Sequence, residues 1–307
     1  MPSNLAPPTV LVFAMSDPTG AGGAMGDALT CAAMGCHAAC AITALAVQDS
    51  TRVEDVLVID AEWIDDQARA VLQDMPVAAI KVGAVGNSDH AQAIAEILSD
   101  YPGLPVVFDP FPSALGNRAD SEGELDPELM AALRGLIVPQ TSVLTLSLAQ
   151  ARRWIELASD DEADADAAAD YGAARCARRL LDWGCEYVLV TGAERVGTHI
   201  VNQLHGPENS LQNESVEYVD LRFRGAGDTL SAGIAALLAQ GIDVTDAVRE
   251  ANDFLGQALA GGFRIGMGDA MPDRLFWAGD EGTDDPAATD AGVGESETQA
   301  DGGPARG

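Results

Sequence analysis

The chain has 307 residues, 47% of them hydrophobic, enough for one large domain with a real core. Its 17 basic and 48 acidic residues give a net charge of −31, which excludes the basic surface that nucleic-acid binding requires. Lys81 is the one lysine; this acidic, lysine-poor composition resembles that of proteins adapted to high salt and bears on solubility, not on chemistry.

Residues 1–8 have neither a basic stretch nor a long apolar run, so no signal peptide is expected. The apolar runs are strand-length, short of the roughly 20 residues that a membrane helix needs. A cytoplasmic protein with no membrane partner is expected. Cys31, Cys36 and Cys40 crowd together, but no CxxC knuckle or histidine pair accompanies them. With Cys176 and Cys185 they read as buried thiols.

Residues 9–15 (TVLVFAM) read as a buried first strand, broken by the glycine-rich loop Ser16-Asp17-Pro18-Thr19-Gly20. A helix over 25–35 and a strand over 36–45 follow. The spacing then predicts a helix over 61–74, a strand over 77–82, a helix over 87–100 and a strand over 105–109 that ends in Asp109-Pro110. Next come a helix near 126–134, a strand near 137–145, helices over 147–157 and 171–183, and a strand over 186–191. Such alternation means an α/β fold with a mostly parallel sheet and helices on both faces. Ligands of such sheets bind beyond the carboxyl ends of the strands. Residues 159–170 (SDDEADADAAAD) are acidic and are expected to form a solvated helix extension or loop. Residues 278–307 have almost no large apolar residue, so a disordered acidic tail is expected after a domain spanning 1–277.

The strongest local signal is Arg224-Gly225-Ala226-Gly227-Asp228, which opens an amphipathic helix containing Leu230, Ile234, Leu237 and Leu238. Glycines let a ligand approach the backbone. The first helical N–H groups lack internal partners, and the helix dipole adds positive charge there. Gly225, Ala226 and Gly227 are thereby candidates for an anion hole around a transferring phosphoryl group. Asp228 at its mouth is the candidate base for an attacking hydroxyl; the plainer reading is an aspartate capping a helix after a glycine turn. No GxxxxGK[ST] occurs and no GxGxxG follows the first strand, so P-loop and dinucleotide folds are disfavoured.

Four segments carry a resemblance. The run from Ser16 to Gly23, with Asp27 beyond it, resembles the DPSGGAGxxAD segment of bacterial hydroxymethylpyrimidine/phosphomethylpyrimidine kinases. Gly35-Cys36-His37 through Gln48-Asp49-Ser50 resembles their GCHxxxxxTALxxQNT segment, Lys81-Val82-Gly83 their KxGM, and Asp109-Pro110 their DPV. The resemblance runs from about Val10 to Trp277 and implies a ribokinase-like three-layer sandwich. It implies an enzyme of thiamine synthesis that moves phosphate from ATP to 4-amino-5-hydroxymethyl-2-methylpyrimidine and then to its monophosphate. It also implies a homodimer. Gln48 matches the glutamine that binds the pyrimidine edge, where an amide offers both donor and acceptor; Asp17, Gly20 and Asp27 complete the expected substrate set. Asp17 also reads as a turn former before Pro18, and Asp27 as a charge favouring a helix N-terminus. Thr191, Gly192 and Arg224 are the expected nucleotide contacts, and Asp109 the expected contact to Mg²⁺. Lys81 is expected to pair with a buried acid, and the four histidines to be structural.

The sequence departs from the family at four places. Asp228 and Arg224 stand where these kinases have cysteine and histidine. The NxxE that organises Mg²⁺ is Ser147-Leu148-Ala149-Gln150. Ala84 replaces the methionine of KxGM, which is expected to enlarge the pocket, and Met25 replaces a polar glutamine. Two other readings compete: a pyridoxal-type vitamin kinase, and a diverged pyrimidine-binding protein with weak kinase activity.

Overall fold

The computed structural model describes residues 6–110, 126–159, 167–207 and 211–279. Through Arg274 they form one unit, and a second, small unit begins at Leu275 with the 3-10 turn Phe276–Gly279. Among the described residues no helix is long and apolar enough to cross a membrane.

The main unit is built around a nine-stranded sheet of order β3-β2-β1-β4-β5-β6-β7-β8-β9. The strands are β1 (Thr9–Ser16), β2 (His37–Gln48), β3 (Val53–Val58), β4 (Val77–Val82), β5 (Val106–Phe108), β6 (Val143–Ser147), β7 (Tyr187–Val196), β8 (His199–His205) and β9 (Leu211–Glu217). The six neighbours from β2 to β7 run parallel, while β3, β8 and β9 pair antiparallel at the margins.

Side chains on a strand alternate between faces, and β1 is apolar on both. Leu11 and Phe13 enter one core with Ile80, Val82, Phe108 and Trp154. Val10, Val12 and Ala14 enter the other with Val107, Leu189, Ile234 and Leu237. The first core is covered by α2 (Ala61–Asp74), α3 (Ser88–Asp100), α4 (Pro127–Ala132), α5 (Leu148–Leu157) and α6 (Ala173–Leu181). The second is covered by α1 (Gly23–Ala33), α7 (Ala226–Ala239) and α8 (Val244–Ala260). This is the expected three-layer arrangement. All five cysteines are free thiols; Cys31 and Cys36 pack in the second core, Cys176 and Cys185 in the first.

The chain leaves β1 to build β2 on one side and later returns to place β4 on the other. Such a reversal opens a crevice at the carboxyl ends of the two strands, where ligands of doubly wound sheets bind. Two helices matter here: α1, which follows β1, and α7, which packs along β1, β4 and β5.

The structure corrects some element boundaries. The strand expected near 137–145 begins only at Val143, because Leu133–Ile137 and Val138–Gln140 continue the helical turn of α4. Pro139, lacking an N–H, could not have joined a central ladder. β2 extends to Gln48 rather than 45. β3, β8 and β9 were not foreseen: these marginal strands are half exposed and mix polar with apolar residues, so they lack the apolar run of a buried strand. Most of the acidic segment 159–170 and of the tail 278–307 lies outside the described residues.

Candidate active site

The loop after β1 is shaped by its own aspartate. Asp17 Oδ1 accepts from Thr19 N (2.8 Å) and Thr19 Oγ1 (2.7 Å), and Oδ2 accepts from Gly22 N (3.0 Å). Asp17 is 1% exposed. The turn-forming role expected of Asp17 is thus seen directly: its carboxylate shapes the loop. Gly20 completes the turn at φ +72°, with the half-exposed Met25 lying over it.

This loop interlocks with the start of α7. Gly225 sits at φ +85°, and a Cβ there would collide with the Ala21 carbonyl, so only glycine fits. Arg274 staples the two segments together. Its guanidinium donates to the carbonyls of Gly20, Ala21 and Gly225, and Nε donates to Thr229 Oγ1 at 3.0 Å. Burial pulls Arg274 below its ordinary range, against the charges of Asp228, Asp27 and Asp17.

Gly225 is the N-cap of α7, and no side chain caps the helix. Asn87, Ser147 and Asp243 do cap α3, α5 and α8. Gly227 is exposed and Ala226 half-exposed, so the first turn opens outward with the polarity that attracts anions. Gly225, Ala226 and Gly227 thus come together as expected. A Cβ on Gly227 would lie 3.3 Å from Asp109 Oδ2, which sets the carboxylate at the end of β5 against this turn.

Beneath the turn lies a cluster of charges. Lys81 on β4 is fully buried; its Nζ is 2.8 Å from Asp27 Oδ2 on α1 and 3.4 Å from Asp228 Oδ1 on α7. Lys81 thus pairs with buried acids, two of them. Burial pulls its ammonium down, but Asp27, Asp228 and Asp109 outweigh burial and hold it above its ordinary range. Burial pushes Asp27 up to about 7, with the Asp228 charge adding and Lys81 opposing. Asp27 is 0% exposed and faces Lys81.

On the β2 side, Gln48 is buried, and neither Oε1 nor Nε2 has a hydrogen-bond partner. A buried amide without partners is costly unless something else satisfies it. Arg224, expected at the nucleotide, donates to the Asp49 carbonyl (3.1 Å) and ties the entry of α7 to the end of β2. Ala84 is buried against Met15 and Ala44 in a small apolar cluster.

Thr191 and Gly192 lie further along the sheet, with Thr191 paired to Ser147 across β6 and β7. Gly192 has φ +62°, and its N–H donates to Asn202 Oδ1 (2.9 Å). Asn202 in turn donates to Asn252 Oδ1 (2.7 Å), so a buried amide pair holds this turn. Ser147 and Gln150, at the NxxE position, form a reciprocal capping box: Ser147 Oγ accepts from Gln150 N, and Gln150 Oε1 accepts from Ser147 N. His90 is buried between the Gly86 N–H, which donates to Nδ1, and the Ile59 carbonyl, which receives the Nε2 proton. His205 is buried, whereas His37 and His199 are exposed.

Arg274, Asn202 and Asn252 had no signal in the sequence: each is an isolated polar residue whose partners lie far along the chain. Among the described residues no cluster of three His, Cys, Asp or Glu side chains is arranged for a metal. Mg²⁺ needs no such cage, because one or two carboxylates suffice when substrate phosphates and water supply the rest. Asp109 beside the anion-attracting turn fits that requirement.

A doubly wound sheet with a buried carboxylate under an uncapped, glycine-opened helix at its switch point defines an α/β phosphotransferase. The chain belongs to the phosphomethylpyrimidine kinase family, whose model matches residues 17–273. The hydroxymethylpyrimidine/phosphomethylpyrimidine kinase of Mycobacterium tuberculosis is 29% identical over 277 residues, 90% of this chain and 96% of that one. The enzyme of the same name from Rhizobium meliloti is 31% identical over 259 residues, covering 84% and 92%. Bacillus subtilis pyridoxal kinase, solved with ADP, shares the fold with a TM-score of 0.76 at 24% identity, over 89% of this chain and 99% of that one. The phosphomethylpyrimidine kinase of Clostridium difficile matches with a TM-score of 0.66 at 25% identity, over 82% and 99%. The fold is thus the ribokinase-like three-layer sandwich.

Two outcomes are expected. A carboxyl whose folded pKa, about 7, exceeds its ordinary 3.8 contributes stability below 3.8 that is lost as pH rises through 7. Relative to Asp27→Asn, the wild-type melting temperature should therefore fall progressively across that window and level off above it; a constant difference would show that Asp27 titrates normally. Ser147→Ala should cost about 1 kcal/mol through loss of the cap, while the Mg²⁺ dependence of activity stays put. A shifted Mg²⁺ requirement would give the pair a metal role instead.

Proposed function

We propose that this chain transfers the γ-phosphoryl group of ATP to the hydroxymethyl oxygen of 4-amino-5-hydroxymethyl-2-methylpyrimidine. The observation that carries the reading is the Asp228 carboxylate set under the uncapped first turn of α7, where the phosphoryl group and the attacking hydroxyl must meet. Asp228 takes the hydroxyl proton as the oxygen attacks. The N–H groups of the first turn meet the charge on the transferring phosphoryl group. Asp109 is the residue that would hold Mg²⁺, and the ion would neutralise charge on the phosphates.

The unpartnered Gln48 amide supports a heterocycle with adjacent donor and acceptor atoms, such as an aminopyrimidine edge. Thr191 and Gly192 support a nucleotide laid along the sheet: at about 4.8 Å per strand, β7 lies roughly 14 Å from β4, a span suited to ATP. Staphylococcus aureus pyridoxal kinase, a structural neighbour, has been solved with ADP and with AMP-PCP. The reading places the kinase domain in residues 1–277, with 278–307 an acidic appendage, and takes the working form as a cytoplasmic homodimer.

Asp228 also bears on how far the reaction goes. An alcohol needs a base, whereas a phosphate nucleophile is already anionic and is repelled by a nearby carboxylate. The alcohol step is therefore favoured over the second phosphorylation. With ATP, Mg²⁺ and the pyrimidine alcohol at several salt concentrations, monophosphate should accumulate ahead of diphosphate. Asp228→Asn should slow the alcohol step at least ~100-fold and the second step much less. Equal slowing of both steps would refute this partition. Phosphorylation of pyridoxal in place of the pyrimidine would move the substrate to that vitamin, and binding without turnover would leave a pyrimidine-binding protein.

A further inference from the structure

Lys81 is placed where a lysine is least expected. It is the only lysine among 307 residues, and it is fully buried. A buried ion pair is a weak stability device, because desolvation consumes most of the attraction. Its position is more informative. Asp27 on α1, Lys81 on β4 and Asp228 on α7 come from three segments and meet at the switch point.

The contacts are ordered. The ammonium sits 2.8 Å from Asp27 Oδ2 and reaches Asp228 Oδ1 at 3.4 Å. Asp27 is thus the anchor, and Asp228 the group that is held. An ammonium has three N–H donors and can serve both carboxylates at once. Gly83, two residues along the strand end, keeps the space open: a Cβ there would lie 2.9 Å from Lys81 Nζ and 3.1 Å from the Phe13 carbonyl.

We propose that Lys81 is a positioning residue for phosphoryl transfer: anchored by Asp27 and given room by Gly83, it holds the Asp228 carboxylate under the first turn of α7. This rests on the reading of Asp228 as the base. It gives Lys81 and Asp27 a role that acts through Asp228, and gives Gly83 a reason that its backbone conformation alone would not supply.

The test is a set of mutant cycles, with kcat and KM measured for ATP and for the pyrimidine alcohol. Asp228→Asn gives the reference loss of ~100-fold or more. Lys81→Met should lower kcat on the order of tenfold or more, and Gly83→Ala several-fold, with both KM values within about twofold of wild type. In the Asp228→Asn background neither substitution should cost anything further, because both act through the missing carboxylate. Losses that multiply in that background, or a Lys81→Met enzyme with wild-type kcat, would overturn the proposal. If Lys81→Met fails to fold, with two carboxylates left buried without their cation, Gly83→Ala decides by the same criterion, its fold checked by circular dichroism. An Asp228→Asn enzyme with undiminished kcat would instead remove the base reading itself, and the proposal with it.

Discussion

One ammonium buried between two carboxylates marks the point on which the rest of the site depends. Lys81 reaches Asp27 and Asp228 in a place almost wholly shielded from bulk solvent. Coulomb attraction there is strong, but so is the cost of desolvation, and a missing partner would leave an uncompensated charge. Burial raises Asp27 to about 7, against the opposing pull of the Lys81 charge. A site of this kind is selective about geometry, since small displacements of any member change the balance for the other two.

The backbone around the cluster is held by a second cation used in a different way. Arg274 spends its donors on three carbonyls and a hydroxyl, not on carboxylates. It thereby joins the glycine loop after β1 to the start of α7. Its fork geometry suits this task, since several planar donors can meet carbonyls from two segments at once. Lysine for the carboxylates and arginine for the backbone divide the work at the switch point. The interlocking of Gly225 with Ala21 leaves little freedom for the loop and helix to move independently.

Much of the fold was legible because buried parallel strands read as apolar runs. TVLVFAM and VAAIKV are examples, and both form strands at the expected places. The marginal strands were not legible, since VEDVLV is exposed or half-buried throughout, LQNESVE alternates with solvent, and neither carries such a run. The site was legible where chemistry is local. GAGD predicted the opened helix, whereas Ser147-Leu148-Ala149-Gln150, read only as an altered Mg²⁺ motif, proves to be a capping box. It was illegible where partners are distant. Asp27 and Lys81 lie 54 residues apart, and Lys81 and Asp228 147 apart, so no spacing rule links them. Asp17 shows a further limit: its spacing before Pro18 predicted a turn but not which loop groups its carboxylate would hold.

The departures from the family share a physical theme. With Asp228 at the helix mouth, the site has a carboxylate that Lys81 can hold. Ser147 and Gln150 are used in capping, while Asp109 is an acidic side chain set against the first turn of α7. The most direct test of this account is a crystal structure with AMP-PCP and the pyrimidine alcohol bound together. The account predicts the substrate hydroxyl within about 3.2 Å of an Asp228 carboxylate oxygen, with Lys81 still on Oδ1 and the γ-phosphate against the first turn of α7. A hydroxyl bound out of reach of Asp228, or a γ-phosphate lodged away from that turn, would contradict it.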